Sequence, residues 1–102
     1  MVKQIHKDEF EAEVVQGGGK ALVDFWASWC GPCQMLSPVL EEVSNEVDDI
    51  RFYGINADEA EELIMKYGIS SIPCVILFEN GEEAKRRVGF GPKPVILSFL
   101  GK

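Results

Sequence analysis

The sequence predicts an α/β fold: a three-layer sandwich with a central mixed five-stranded sheet flanked by four helices. Three observations lead there. Strand-like and helix-like periods alternate along the chain in the order βαβαβαββα. The segment Ala21–Ser28 is almost wholly apolar, which suits a central strand covered on both faces rather than one with a wet side. Asn80-Gly81 separates two short strand-like runs and signals a tight hairpin, so an antiparallel pair joins a mostly parallel start.

The elements follow in order. Val2–Ile5 reads as a short strand. Asp8–Val15 reads as a helix with Phe10, Val14 and Val15 on its apolar stripe, stopped by Gly17, Gly18 and Gly19. After the Ala21–Ser28 strand, Cys33–Val47 carries Met35, Leu36, Val39, Leu40, Val43 and Val47 at helical spacing. Pro38 lies inside that helix, removes one donor and predicts a kink. Ile50–Ile55 is the next strand. Asp58 is expected to cap a helix with the stripe Leu63, Ile64 and Tyr67, terminated by Gly68. Val75–Phe78 and Ala84–Val88 form the hairpin, and Val95–Leu100 closes the chain as a helix of about two turns, delayed by Pro92 and Pro94.

Composition bounds the function. The chain has 102 residues, 46% of them hydrophobic, and a formal net charge of −7. That is enough for one domain, residues 1–102, with a core that needs no disulfide staples. The negative charge argues against nucleic-acid or anionic-membrane partners. No apolar stretch approaches the ~20 residues that span a bilayer, and the N-terminal residues show no secretory h-region, so the expected compartment is the cytoplasm. Three cysteines form no secreted disulfide framework.

Chemistry concentrates in Trp29-Cys30-Gly31-Pro32-Cys33, between the buried strand and the long helix. Two cysteines two residues apart can close a small ring, which Pro32 restrains. Cys30 at the helix N-terminus faces free N–H groups and the positive end of the dipole, both of which favour a thiolate. Cys33, one turn inside, is expected to be more buried and harder to ionise. This asymmetry suits a two-step exchange: Cys30 attacks a substrate disulfide, then Cys33 attacks Cys30 and releases the reduced substrate. A zinc site is the competing reading, since Cys30, Cys33, Cys74 and His6 are all possible ligands. Structural zinc sites usually supply two close pairs, however, and here the second half would be two isolated residues. Asp24 sits within Ala21–Ala27, where a carboxylate is costly to ionise and its pKa should rise.

The segment Asp24-Phe25-Trp26-Ala27-Ser28-Trp29-Cys30-Gly31-Pro32-Cys33 closely resembles the active-site segment of the thioredoxin family. The resemblance continues through Pro38, Asn56-Ala57-Asp58, Tyr67-Gly68-Ile69, Ser71-Ile72-Pro73, Asn80-Gly81 and Val88-Gly89, in order and over nearly the whole chain. It implies the thioredoxin fold and a monomeric protein-disulfide reductase without a bound cofactor, supplied with electrons by a thioredoxin reductase. It also implies that Asp24 lies beneath Cys33 and exchanges its proton, and that Ile72–Pro73 is a cis bond facing the cysteines. Trp29, Gly31, Pro32, Ile72, Pro73 and Gly89, with Phe90, would then form a largely uncharged docking surface for protein disulfides. Trp26 packs beside the site, and Gly81 and Gly89 serve backbone geometry. A disulfide isomerase or oxidase of the same fold, a metal-binding module and a non-catalytic interaction module are the alternatives. Three features depart from the family, one of them the short C-terminal segment with Pro92 and Pro94 before Val95. Cys74 stands where Thr is common, as a small buried residue or as a third thiol near the pair. Gly54 stands where many members carry Lys, which predicts that Asp24 stays protonated to higher pH.

Overall fold

A computed structural model describes residues Met1–Lys102. Five strands, β1 (Val2–Gln4), β2 (Lys20–Trp26), β3 (Ile50–Asn56), β4 (Cys74–Glu79) and β5 (Glu82–Val88), make one sheet in the order β1-β3-β2-β4-β5. β1, β3 and β2 run parallel, and β4 and β5 are antiparallel to their neighbours. The helices are α1 (Lys7–Phe10), α2 (Gly31–Glu46), α3 (Glu61–Lys66) and α4 (Lys93–Phe99). This is the mixed five-stranded, three-layer arrangement of the thioredoxin fold.

Alternation along β2 divides the core between the two faces. Ala21, Val23 and Phe25 join Phe10, Val14, Ile55, Ile76 and Phe78 beneath α1 and α3, where Phe10, Tyr67 and Phe78 meet edge to face. Leu22 points the other way, into a cluster with Leu36, Leu40 and Val43 of α2 and Ile96 of α4. A strand buried on both faces carries no polar side chain easily, and Asp24 is the exception.

Several boundaries differ from the sequence expectation. α1 ends at Phe10 and continues as a π-helical turn over Glu11–Val15, with Gln16 N–H bonding the Glu11 carbonyl at 2.9 Å. The wider turn keeps Phe10, Val14 and Val15 all against the sheet. α2 begins at Gly31, two residues earlier than expected, because Cys30 itself serves as its N-cap. The helix runs on through Pro38. Asp58 does not cap a helix. The Asn56 side chain accepts the Asp58 N–H at 3.0 Å and heads a 3-10 turn over Ala57–Glu59, after which Ala60 leads into α3. Gly68, at φ 61°, ends α3 as expected. In the hairpin Asn80 and Gly81 both have positive φ (52° and 86°), so pairing starts at once with Glu79 opposite Glu82. α4 has seven residues, two turns, and its Pro94 lies in the first turn, where a missing N–H leaves nothing unpaired.

Candidate active site

β2 delivers the chain to the site and α2 receives it. Because β2 and β3 are parallel, with Trp26 opposite Asn56, the loops that follow both strands leave from one edge of the sheet. Cys30 has an extended backbone (φ −95°, ψ 109°), and its Sγ accepts the Cys33 N–H at 3.2 Å. A cysteine sulfur thus fills the capping role that Ser or Asp oxygen usually plays. Pro32 has no N–H to offer, so the donor aimed at Cys30 comes from Cys33. The first turn of α2 holds no acidic residue, which leaves the positive end of the dipole uncompensated.

Cys30 and Cys33 are joined as a disulfide with Cα atoms 5.3 Å apart. Both are buried in this state, 5% and 2% exposed, so the expected contrast in exposure is small while the bond is closed. They pack with Ala27, Trp26 and Ile72. Ile72–Pro73 is a cis peptide, and the Ile72 carbonyl oxygen lies 3.8 Å from Cys30 Sγ. Pro73 is tied in turn to the next loop: its carbonyl accepts the Gly89 N–H at 2.8 Å, and Gly89 sits at φ 95°. Cys30, Cys33, Ile72, Pro73 and Gly89 are therefore linked by contacts, with the cysteines and Pro73 buried, Ile72 and Gly89 half-buried, and Gly31 and Pro32 exposed beside them.

Trp29 is 70% exposed, and its indole N–H donates to Asp58 Oδ2 at 2.9 Å. This tie was not legible in the sequence, where the run Asp58-Glu59-Ala60-Glu61-Glu62 reads as a solvated first helical turn. The signal that could have revealed it is topological: parallel β2 and β3 bring the segments after them together. Trp29 and Ile72 border a groove of about 680 Å³ whose other walls include Ile64, Met65 and Ile69.

Asp24 lies on the opposite side of the pair. It is 5% exposed, and its Oδ1 has no hydrogen-bond partner in the protein. Burial pushes its carboxyl up to about 7. A cavity of about 290 Å³ is lined by both Asp24 and Cys33, together with Gln4, Trp26, Ser28 and Ser37. The Trp26 indole N–H donates to Gln4 Oε1 at 2.9 Å. Gln4 carried no functional signal in the sequence, since it is one polar residue in a three-residue edge strand.

Cys74 is a free thiol, fully buried, and belongs to the core beneath α1 and α3. Opposite Phe25 in the β2–β4 register, it shares that residue's face of the sheet rather than the face of Asp24. Burial pushes its thiol up. No group of three or more His, Cys, Asp or Glu side chains is placed to hold a metal ion.

The family model for thioredoxin matches residues 1–102. A thioredoxin of Rickettsia bellii is 41% identical over 101 residues, covering 98% of this chain and 96% of its own length. A thioredoxin of Pyropia yezoensis is 40% identical, covering 99% and 95%, and one of Mycoplasma genitalium is 38% identical, covering 98% of each. With a full-length family match, relatives of this similarity and a closed Cys-Gly-Pro-Cys ring at the head of α2, the chain belongs to the thioredoxin family.

Proposed function

We propose that Cys30 is the attacking thiol, Cys33 the resolving thiol and Asp24 the group that takes the Cys33 proton. The activity itself, reduction of protein disulfides by dithiol–disulfide exchange, follows from family membership and the Cys30–Cys33 pair. The observation that carries the assignment of roles is the 3.2 Å hydrogen bond from Cys33 N–H to Cys30 Sγ at the start of a 16-residue helix. One sulfur is held where negative charge is favoured, and the other sits behind it, beside a buried carboxyl.

In the reduced protein, the Cys30 thiolate attacks one sulfur of a substrate disulfide. The substrate S–S bond breaks, a Cys30–substrate disulfide forms, and one substrate thiolate leaves. Asp24, unprotonated, accepts the Cys33 proton through the shared cavity. The Cys33 thiolate then attacks Cys30 Sγ, the second substrate thiolate leaves, and the Cys30–Cys33 bond closes. Two electrons have passed to the substrate, and its thiolates take up protons according to pH. Family membership implies disulfide-containing substrates and a reductase that returns the two electrons.

Trp29, Gly31, Pro32, Ile72, Pro73 and Gly89 make the docking surface in this reading. The half-buried Ile72, beside Cys30 and outside any strand, suits an extended substrate segment lying against its backbone, in the manner of strand addition. The protein acts as a monomeric single domain, residues 1–102, in the cytoplasm, with a thioredoxin reductase as donor. No helix is long and apolar enough to cross a membrane.

The test is a pair of variants. Cys30→Ser abolishes insulin-disulfide reduction, whereas Cys33→Ser accumulates a mixed disulfide at Cys30 that mass spectrometry identifies. A trapped adduct at Cys33 in the Cys30→Ser protein, with none at Cys30 in the reverse variant, would invert the roles.

A further inference from the structure

Three residues fall in one row across the sheet: Gln4 of β1 is opposite Gly54 of β3, and Gly54 is opposite Asp24 of β2. Residues in register point to the same face, and neighbouring strands lie about 4.8 Å apart. With no side chain at Gly54, the row has a gap between Gln4 and Asp24. The Gln4 side chain occupies it. A Cβ placed on Gly54 would come within 2.5 Å of Gln4 Nε2 and 2.6 Å of Gln4 Oε1. The amide is held there by the 2.9 Å bond from Trp26 Nε1 to Gln4 Oε1. Gln4, Trp26, Asp24 and Cys33 all line the same cavity.

We propose that Gln4 is a positioning residue for proton transfer between Asp24 and Cys33: leaning over Gly54 and anchored on Trp26, its amide forms the neutral outer wall of the cavity they share. The inference rests on the relay reading of Asp24 given above. Around Asp24, β1 presents Gln4, β3 Gly54, β4 Val75, and α2 Cys33 and Ser37. The titratable groups near it are Cys33, once the disulfide is open, and the buried Cys74 thiol on the reverse face of β4, which feels the Asp24 charge. A carboxyl so placed has no cation to hold it ionised. The wall that limits its contact with water is therefore a main control on when it can accept a proton. Gln4 is itself exposed at the cavity mouth, which makes it a place where the wall can be altered without opening the core.

Two variants test this in the full-length protein. Gln4→Lys puts a cation over Gly54. Gln4→Met keeps the approximate shape but removes the acceptor for Trp26. The Asp24 carboxyl is titrated by 13C NMR in the oxidised protein, and closure of the Cys30–Cys33 ring is timed from a preformed mixed disulfide across pH. In Gln4→Lys the Asp24 midpoint falls by about half a pH unit, and the pH–rate profile moves with it. In Gln4→Met the Trp26 indole N–H resonance shifts and the Asp24 midpoint moves. An unchanged Asp24 midpoint in Gln4→Met overturns the role of Gln4 and leaves the relay intact, whatever Gln4→Lys does. A ring-closure profile that is the same in Asp24→Asn as in the native protein overturns the relay, and the role of Gln4 with it.

Discussion

At the residue scale, the site turns on two groups placed against their ordinary preferences. Cys30 caps a helix with sulfur, and Asp24 occupies a strand position whose neighbours Val23 and Phe25 are fully buried. Both were legible. A carboxylate inside an apolar run and a C-x-x-C between strand and helix are anomalies of pattern, and a sequence displays these directly. Gln4 and the Trp29–Asp58 bond were not legible, because each depends on which strand lies beside which. If Asp24 takes the Cys33 proton as proposed, Asp24→Asn removes that acceptor while keeping the shape. Ring closure from the mixed disulfide should slow by about 10²-fold at neutral pH, with the initial attack by Cys30 little changed. Single-turnover kinetics of the two steps checks this, and equal slowing of both would contradict it.

At the element scale, the hairpin between β4 and β5 and the loop after α1 support each other. Asn80 Oδ1 accepts the Gly19 N–H at 2.9 Å, and Asn80 N–H donates to the Gly19 carbonyl at 2.8 Å. Gly81 presses against the π-helical turn: a Cβ there would sit 2.8 Å from the Val15 carbonyl oxygen, at a φ of 86° that L side chains resist. Gly81→Ala should destabilise the protein by about 1–3 kcal/mol, from strain and from the forced shift of Val15. Urea denaturation measures it, and a variant as stable as the native protein would contradict it. The Asn-Gly signal predicted this turn, but β5 starts two residues earlier than its composition suggested. Glu82 and Glu83 have poor strand propensity, and the tight turn overrides it by placing them directly opposite β4. The reverse error occurred at Asp58, where helix-start chemistry was present but the Asn56 side chain captured the turn first.

At the scale of the whole molecule, the five-stranded sheet separates two cores and carries the chemistry at the edge where β2 and β3 end. The fold class was legible because alternating periods and one doubly buried strand leave few arrangements. The exact π-helical turn was not, since apolar spacing alone does not distinguish it from an α-helix. Burial of Asp24 also makes global stability depend on pH. Its carboxyl is raised from 3.8 to about 7 on folding, so between those values the native state holds more protons than the unfolded chain. Stability from this group is intact below about pH 4 and is lost as pH rises towards 7. Asp24→Asn should therefore match the native protein near pH 4 and exceed it by roughly 2–4 kcal/mol at pH 8, as read from denaturation curves. In the proposed roles the same sheet edge holds one sulfur ready to attack and another in reserve, and alkylation of the fully reduced protein measures that difference most directly. With peptide mass spectrometry across pH, Cys30 should react first, with a midpoint below the ~8.5 of a free thiol, while Cys33 and Cys74 lag far behind. Cys30 reacting no faster than Cys33, with a midpoint at or above that of a free thiol, would contradict the account.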